Sequence, residues 1–239
     1  MEEEETIPFH QRQILALIPA YNEAAHITRV IEGTLLHLPV LVINDGSTDD
    51  TAARAEATGV EVLNQIPNQG KGAALKAGFA RALEEGYQAV LTLDADGQHD
   101  PAEIPRFLEQ YSKEPADLII GARNFAQMPL RRRLANLFGL YSFSWAIGQR
   151  IRDNQSGYRL ISRRLMQAMI SSTEQGYQFE VEMIVIAVKR GFSIAWVPIS
   201  TIYADEKSHI KPWRHVFEFL SMILRTRRMM RSKNLQDPS

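Results

Sequence analysis

The chain has 239 residues, 45% of them hydrophobic and 23% charged, with a net charge of −1 at pH 7. That suits one globular α/β domain with its own core and argues against a general nucleic-acid binder. It has no cysteine, which excludes disulfides, thiolate nucleophiles and cysteine-based zinc sites and is compatible with a reducing compartment.

Residues 1–10 are acidic at their start and lack the apolar stretch of a secretory signal; they read as a disordered tip. Ile14–Ile18 is an apolar run read as a buried strand ending at Pro19, followed by a helical pattern through Ile27, Val30, Ile31 and Leu35. Val40–Ile43 is a second strand, closed by Asp45-Gly46-Ser47, with Ser47 or Thr48 as the expected cap of a helix running to Ala57. Val60–Leu63 reads as a strand, Gly72–Glu85 as an Ala-rich helix, and Ala89–Leu93 and Leu118–Ile120 as two more strands. Arg131–Ile147 and Phe179–Lys189 look helical, Ile194–Val197 extended, and Trp213–Met230 helical. No stretch approaches the roughly eighteen apolar residues of a membrane span. Strands alternating with helices imply βαβ units and a mostly parallel sheet, whose ligands bind at the C-terminal strand ends.

The polar clusters fall at those ends. Tyr21-Asn22-Glu23, Asn44-Asp45-Gly46 and Asp94-Ala95-Asp96 follow three successive apolar runs. In Leu93-Asp94-Ala95-Asp96-Gly97-Gln98 a glycine turn can gather two carboxylates and an amide around a hard cation, Mg²⁺ or Mn²⁺. The same residues would serve equally as an Asp-rich turn, with Asp100-Pro101 starting a helix. Alone, Asp45 and Asn22 read as turn residues, and Asn68-Gln69-Gly70-Lys71-Gly72 as a flexible loop or a phosphate-holding helix start; the spacing is not that of a P-loop.

The motifs IPAYNE, VINDGSTD, NQGKGAALKAGF, LTLDADGQHDP, IIGAR, RDNQSGYR and GYQFEVEM occur in this order. With them the chain resembles glycosyltransferase family 2, and more closely its dolichyl/polyprenyl-phosphate mannosyl- and glucosyltransferase branch, from about Ile14 to about Tyr203. The resemblance implies a GT-A fold over 11–205: a Rossmann-like nucleotide-binding half with a mostly parallel central sheet, helices on both faces, and an acceptor half. It implies an inverting, metal-dependent transfer from a UDP- or GDP-sugar. Pro19, Ala20, Tyr21 and Glu23 would line the base and ribose pocket, with Asp45 beside them and Lys71 and Ala95 also at the donor. Asp94, Asp96 and Gln98 would hold the metal, Asp96 and Gln98 most closely. Arg123 would face phosphates, and Asp153 would stand beside the anomeric centre as base or orienter. Glu180 and Glu182 are weaker candidates. Many relatives carry C-terminal membrane spans, which this sequence lacks, and an Arg…Ser-Lys ending where this one reads Tyr203-Ala204-Asp205-Glu206-Lys207-Ser208-His209; Lys207 or His209 would then supply a phosphate contact.

Two acceptor classes follow. A hydroxyl of a glycan or glycolipid needs its proton taken, a role for Asp153. A lipid phosphate is largely dianionic at neutral pH and needs cations, such as Arg123 with Arg131, Arg132 and Arg133. A sugar-1-phosphate nucleotidyltransferase would carry a Gly-rich loop where this chain has Pro19–Glu23, and a non-catalytic sugar-nucleotide binding module would have lost the paired aspartates. The segment 206–239 reads as a basic amphipathic helix and tail. Phe217, Leu220, Ile223 and Leu224 form its apolar side, and eight Lys/Arg lie between Lys207 and Lys233 against Glu218 alone. It would either touch an anionic membrane or pack on its own domain. The expected location is the cytoplasm, peripheral at the cytoplasmic face of a membrane.

Overall fold

A computed structural model of the chain describes residues 13–123, 130–171, 179–200 and a short helical piece at 223–224, 226–228 and 230. The acidic tip 1–10, Lys207, His209, Glu218 and most of Trp213–Met230 lie outside the described residues.

Seven strands form one sheet: β1 (Ile14–Ala20), β2 (Val40–Asp45), β3 (Glu61–Gln65), β4 (Ala89–Thr92), β5 (Leu118–Arg123), β6 (Arg159–Ser162) and β7 (Ile194–Ile199). Their order is β3-β2-β1-β4-β6-β5-β7. Every pairing is parallel except those of β6, which runs antiparallel to both β4 and β5. The helices are α1 (Ile27–Leu35), α2 (Thr51–Glu56), α3 (Lys71–Glu84), α4 (Ile104–Lys113), α5 (Leu130–Ile147), α6 (Arg163–Ile170) and α7 (Phe179–Lys189), with a 3-10 turn at Pro101–Glu103.

Strand alternation sorts the core into two layers. Leu15 and Leu17 of β1 and Leu41 and Ile43 of β2 face one cluster with α3, α5, α6 and α7. Ile14, Ala16 and Ile18, with Val40 and Val42, face the other with α1 and α4. Helices therefore cover both faces, and the strand order reverses between β1 and β4, which opens a crevice at their C-terminal ends.

Three local readings are corrected. β1 continues through Pro19 to Ala20. Ala16 donates to Pro39 on the β2 side and Leu17 accepts from Leu93 on the β4 side. Pro19 therefore turns its missing N–H toward β4, whose pairing with β1 has already stopped at Leu17↔Thr92. Neither Ser47 nor Thr48 caps α2: Asp50 holds the N-cap position, and Ser47 and Thr48 bond Asn22 instead. Between α5 and α7 the chain forms β6 and α6, which sequence periodicity does not reveal because β6 is four residues long and starts with an arginine.

Candidate active site

The ends of β1, β2 and β4 and the start of α3 surround a cavity of about 420 Å³. Pro19, Ala20, Tyr21 and Glu23 line it from β1, Asp45 from β2, Lys71 from α3, and Asp94, Ala95 and Asp96 from β4. Arg123, Asp153 and Gln98 do not line it.

Two turns build the floor by holding each other. Asn22 sits at φ 57, a left-handed conformation that asparagine tolerates. Its backbone N–H donates to Ser47 Oγ at 3.0 Å, and its Oδ1 accepts from Thr48 N at 2.8 Å. Glu23 N donates to Thr51 Oγ1 at 2.7 Å. Asp45, 3% exposed, uses both oxygens on backbone: Oδ1 accepts from Gln69 N and Oδ2 from Gly70 N, each at 2.8 Å. It thereby pins the loop before α3 against the cavity. A carboxylate has about four lone-pair sites, so this leaves acceptor capacity toward a ligand hydroxyl. Gly46 lets that loop approach, since a Cβ there would lie 2.7 Å from Asn68 N.

On the β4 side, Lys71 stands between two carboxylates. Its Nζ is 2.6 Å from Asp94 Oδ1 and 2.8 Å from Glu180 Oε1. Burial opposes the charge on Lys71, but Asp94 and Glu180 outweigh it and raise its pKa. Burial likewise pushes the Asp94 carboxyl up, while Lys71, His99 and Arg159 hold it below the ordinary range. Asp96 moves the other way: burial and the Asp94 charge raise it, against one backbone bond from Gln98 N. His99, 7% exposed, accepts from Asp94 N at 3.2 Å and packs on Tyr158 at 5.0 Å between centroids; burial lowers its pKa. Glu180 thus reaches the site through Lys71, whereas Glu182 does not line the cavity.

On the far side of Asp94, Asp153 is 1% exposed and saturated with donors. Oδ2 accepts from Arg123 Nε at 2.7 Å and from Arg123 N at 3.3 Å. Oδ1 accepts from Arg123 Nη2 at 3.0 Å, Gln155 N at 3.0 Å and Ser156 N at 3.2 Å. The two residues expected at the reacting centre therefore pair with each other in a two-point clamp. Gly157 lets this loop close on Asp94, since a Cβ there would lie 2.6 Å from Asp94 Oδ2 and 3.0 Å from Lys71 Nζ.

Arg159 is the organising residue that sequence reasoning missed. Fully buried in β6, it donates from Nε to Ser156 O at 2.8 Å, from Nη1 to Glu180 O at 2.7 Å and from Nη2 to Asn154 O at 3.4 Å. It ties the 153–157 loop to α7. Burial lowers its pKa to about 10, against the pull of Glu180, Asp153 and Asp94. The available signal was an arginine opening an apolar run, Arg159-Leu160-Ile161, since a buried charge demands partners.

The family model for glycosyl transferase family 2 matches residues 16–169. Polyprenol monophosphomannose synthase of Mycolicibacterium smegmatis is 33% identical over 79% of this chain and 77% of its own length. Undecaprenyl-phosphate mannosyltransferase of Micrococcus luteus is 32% identical over 80% of this chain and 84% of its own. Among solved structures, the glucosyl-3-phosphoglycerate synthase of Mycobacterium tuberculosis in complex with uridine diphosphate superposes with a TM-score of 0.72, at 21% identity, over 95% of this chain and 86% of that one; at that identity the likeness concerns the fold.

Proposed function

Since the chain belongs to glycosyl transferase family 2, we propose that it moves a hexose, with inversion, from a UDP- or GDP-sugar to a polyprenyl phosphate. The donor would occupy the cavity at the ends of β1, β2 and β4. Base and ribose would lie toward Tyr21, Glu23 and Asp45, and the diphosphate toward Lys71 and the Asp94–Asp96 turn.

The observation that carries the acceptor choice is Asp153. A buried carboxylate whose two oxygens already accept from the Arg123 guanidinium and from three backbone N–H groups has its acceptor sites occupied and none turned to an incoming hydroxyl. A hydroxyl acceptor needs a base there; a phosphate acceptor, already anionic at neutral pH, needs none. Asp153 instead orients Arg123, whose cation would draw the acceptor phosphate. Two relatives whose names specify polyprenol or undecaprenyl phosphate point the same way.

A divalent cation, Mg²⁺ or Mn²⁺, fits the donor set. Among the described residues no three His, Asp or Glu side chains converge on one point, so a complete protein cage is not formed. Asp94 and Asp96 both line the cavity, and Mg²⁺ commonly binds through one or two carboxylates together with substrate phosphates. Asp96, raised by burial and by Asp94, gains most from a neighbouring cation. When bound, the ion neutralises the departing diphosphate. Gln98, whose backbone N–H holds Asp96, would set the angle of that carboxylate. Lys71, tethered by Glu180, would hold its charge beside the diphosphate.

The basic segment from Lys207 to Lys233 would keep the protein peripheral to an anionic membrane at its cytoplasmic face. Among the described residues no helix is long and apolar enough to cross a membrane. The test is a transfer assay with purified protein, Mg²⁺ or Mn²⁺, UDP- and GDP-sugars, and two short-chain acceptors, a polyprenyl phosphate and the matching polyprenol. Transfer to the phosphate alone is expected; equal transfer to the alcohol would refute the acceptor assignment.

A further inference from the structure

A second cavity, of about 290 Å³, lies behind the Asp94–Asp96 turn, between α1 and the segment that runs from Gly97 into the 3-10 turn. It shares no lining residue with the cavity at the strand ends. Arg29 lines it from the first turn of α1 and His37 from just past the end of that helix; His99 lines it from the facing wall. Val30, Leu36, Pro101 and Ala102 add apolar surface. The volume is close to the lower end of the about 300–1,000 Å³ usual for small-molecule sites.

Three nitrogen-bearing side chains meet this space with donors unspent. His99 is the decisive one, because it is only 7% exposed. Its Nδ1 accepts from Asp94 N at 3.2 Å, so the ring is neutral and carries its proton on Nε2. Nothing among the described residues accepts from that Nε2–H, and a buried donor without an acceptor is unfavourable. Arg29 is exposed and makes no ion pair among the described residues. Its guanidinium lies against the turn, since a Cβ at Gly97 would lie 2.6 Å from Arg29 Nη2. The half-buried His37 side chain is likewise without a partner among the described residues; burial lowers its pKa, so it too offers a neutral N–H. Asp100, the one acid on the wall, is engaged by Ala102 N at 3.0 Å. One fixed cation and two N–H donors call for an anion. Because the donors stand on two facing walls, a phosphate, whose oxygens point apart, meets them better than a flat carboxylate.

We propose that this cavity binds a small phosphate-bearing ligand through Arg29, His37 and His99, and that the bound anion tightens the Asp94–Asp96 turn from behind. The consequence for transfer rests on the reading of that turn as the place of the donor diphosphate and its cation; the binding itself does not. When Nε2–H of His99 donates to an anion, Nδ1 becomes a better acceptor, because hydrogen bonds in a chain polarise one another. Asp94 N is then held more firmly. Arg29, drawn to the same anion, stays over Gly97. The ligand thus acts on the turn without entering the strand-end cavity, and the coupling is reciprocal: donor nucleotide and anion each strengthen the binding of the other.

The experiment is calorimetric titration of the full chain at neutral pH with inorganic phosphate, and with acetate at the same ionic strength, without divalent ions. Wild type should bind phosphate. An Arg29→Gln/His37→Gln variant, changed outside the strand-end cavity, should bind it at least about tenfold more weakly, as expected for the loss of a hydrogen bond between charged groups, with unchanged Tm. Arg123→Gln should bind phosphate as wild type does. The His99 ring N–H proton resonance should shift on adding phosphate to wild type and stay in place in the double variant. No phosphate binding by wild type, equal affinity in the double variant, loss in Arg123→Gln instead, or acetate binding as tightly as phosphate overturns the proposal. The coupling is read as the affinity for UDP or GDP with Mg²⁺, with and without phosphate. Phosphate should raise it in wild type and leave it unchanged in the double variant. No change in wild type overturns the coupling, and a fall of the same size in both proteins would put the ion in the strand-end cavity and overturn the site. A chain that binds phosphate as described but neither nucleotide would count against the donor assignment while leaving this site intact.

Discussion

The two sides of the Asp94 turn use carboxylates in opposite ways. On the side proposed for the donor, Asp45 and Asp96 accept mainly from backbone N–H groups. Their charge is offset by dipoles, and both still line an open cavity. On the side proposed for the acceptor, Asp153 is sealed in, facing a guanidinium, and Arg159 behind it donates to three carbonyls and the Met183 thioether. The donor side keeps anionic groups available to a cation or a ribose. The side proposed for the acceptor ties its carboxylate to Arg123, the side chain proposed to meet the incoming phosphate. That asymmetry would suit the proposed reaction, in which a diphosphate has a positive ion brought to it and an incoming phosphate meets a fixed positive side chain.

The largest effect that would test the contrast is at Asp96. Asp96→Ala should abolish transfer while leaving the unfolding transition nearly unchanged, because it removes one carboxylate at a strand end with a single backbone bond. Turnover that survives this change, or that survives chelation of divalent ions, would mean the donor side does not work through a cation. Next comes Asp153→Asn. Removing one charge of a buried pair destabilises by about 3–5 kcal/mol, so the melting temperature should fall clearly. The decisive readout is the pH–rate profile. With a phosphate acceptor its acidic limb should keep its position in the variant; a limb that disappears, with a loss of about 10²–10⁴-fold, would identify Asp153 as a general base.

Gly157 is where the two sides touch. Gly157→Ala sets a methyl 2.6 Å from Asp94 Oδ2, and relieving such overpacking costs about 1–3 kcal/mol. The expected result is weaker donor and Mn²⁺ binding by calorimetry, with the Arg123–Asp153 clamp and its stability contribution intact. Unchanged binding would show that the loop yields instead of Asp94. Asp45→Ala should weaken free nucleotide by roughly 1.5–3 kcal/mol, partly by releasing the Gln69–Gly70 backbone. Unaltered nucleotide affinity would reduce Asp45 to a turn residue.

The same contrast explains what could be read from the sequence. Donor-side residues sit within a few positions of a strand end, and parallel strands deliver those ends to one crevice, so Tyr21, Asp45 and Asp94 could be grouped from periodicity and turn chemistry. The motif series placed Arg123 and Asp153 in one site, but their pairing depends on β6 entering antiparallel between β4 and β5, an arrangement hidden by a four-residue strand opening on a charge. Glu180 was ambiguous for a related reason. On α7 it could serve core or site, and only the packing of α7 near α3 brings it to Lys71.

The smallest effect expected is electrostatic and lies in the Lys71–Asp94 pair. Asp94 is held below its ordinary pKa and Lys71 above its own. A carboxylate depressed in the folded state stabilises the fold above its unfolded pKa, about 3.9, and loses that contribution as pH falls through the lower folded value. A lysine raised in the folded state contributes fully below about pH 10.4 and loses that contribution only as pH rises through its higher folded value. The pair's stabilisation is therefore flat across neutral pH and disappears first on the acid side. Its side chains are 26% and 28% exposed, so solvent screening keeps the contribution to about 1 kcal/mol. Urea unfolding of wild type and Lys71→Met at pH 7 and near pH 2 measures it. The stability gap between the two proteins should shrink at the acid pH, as Asp94 gives up its charge with the pH falling toward its lowered folded pKa. A gap of the same size at both pH values would mean that Lys71 stabilises the fold through its hydrocarbon stem and not through its charge.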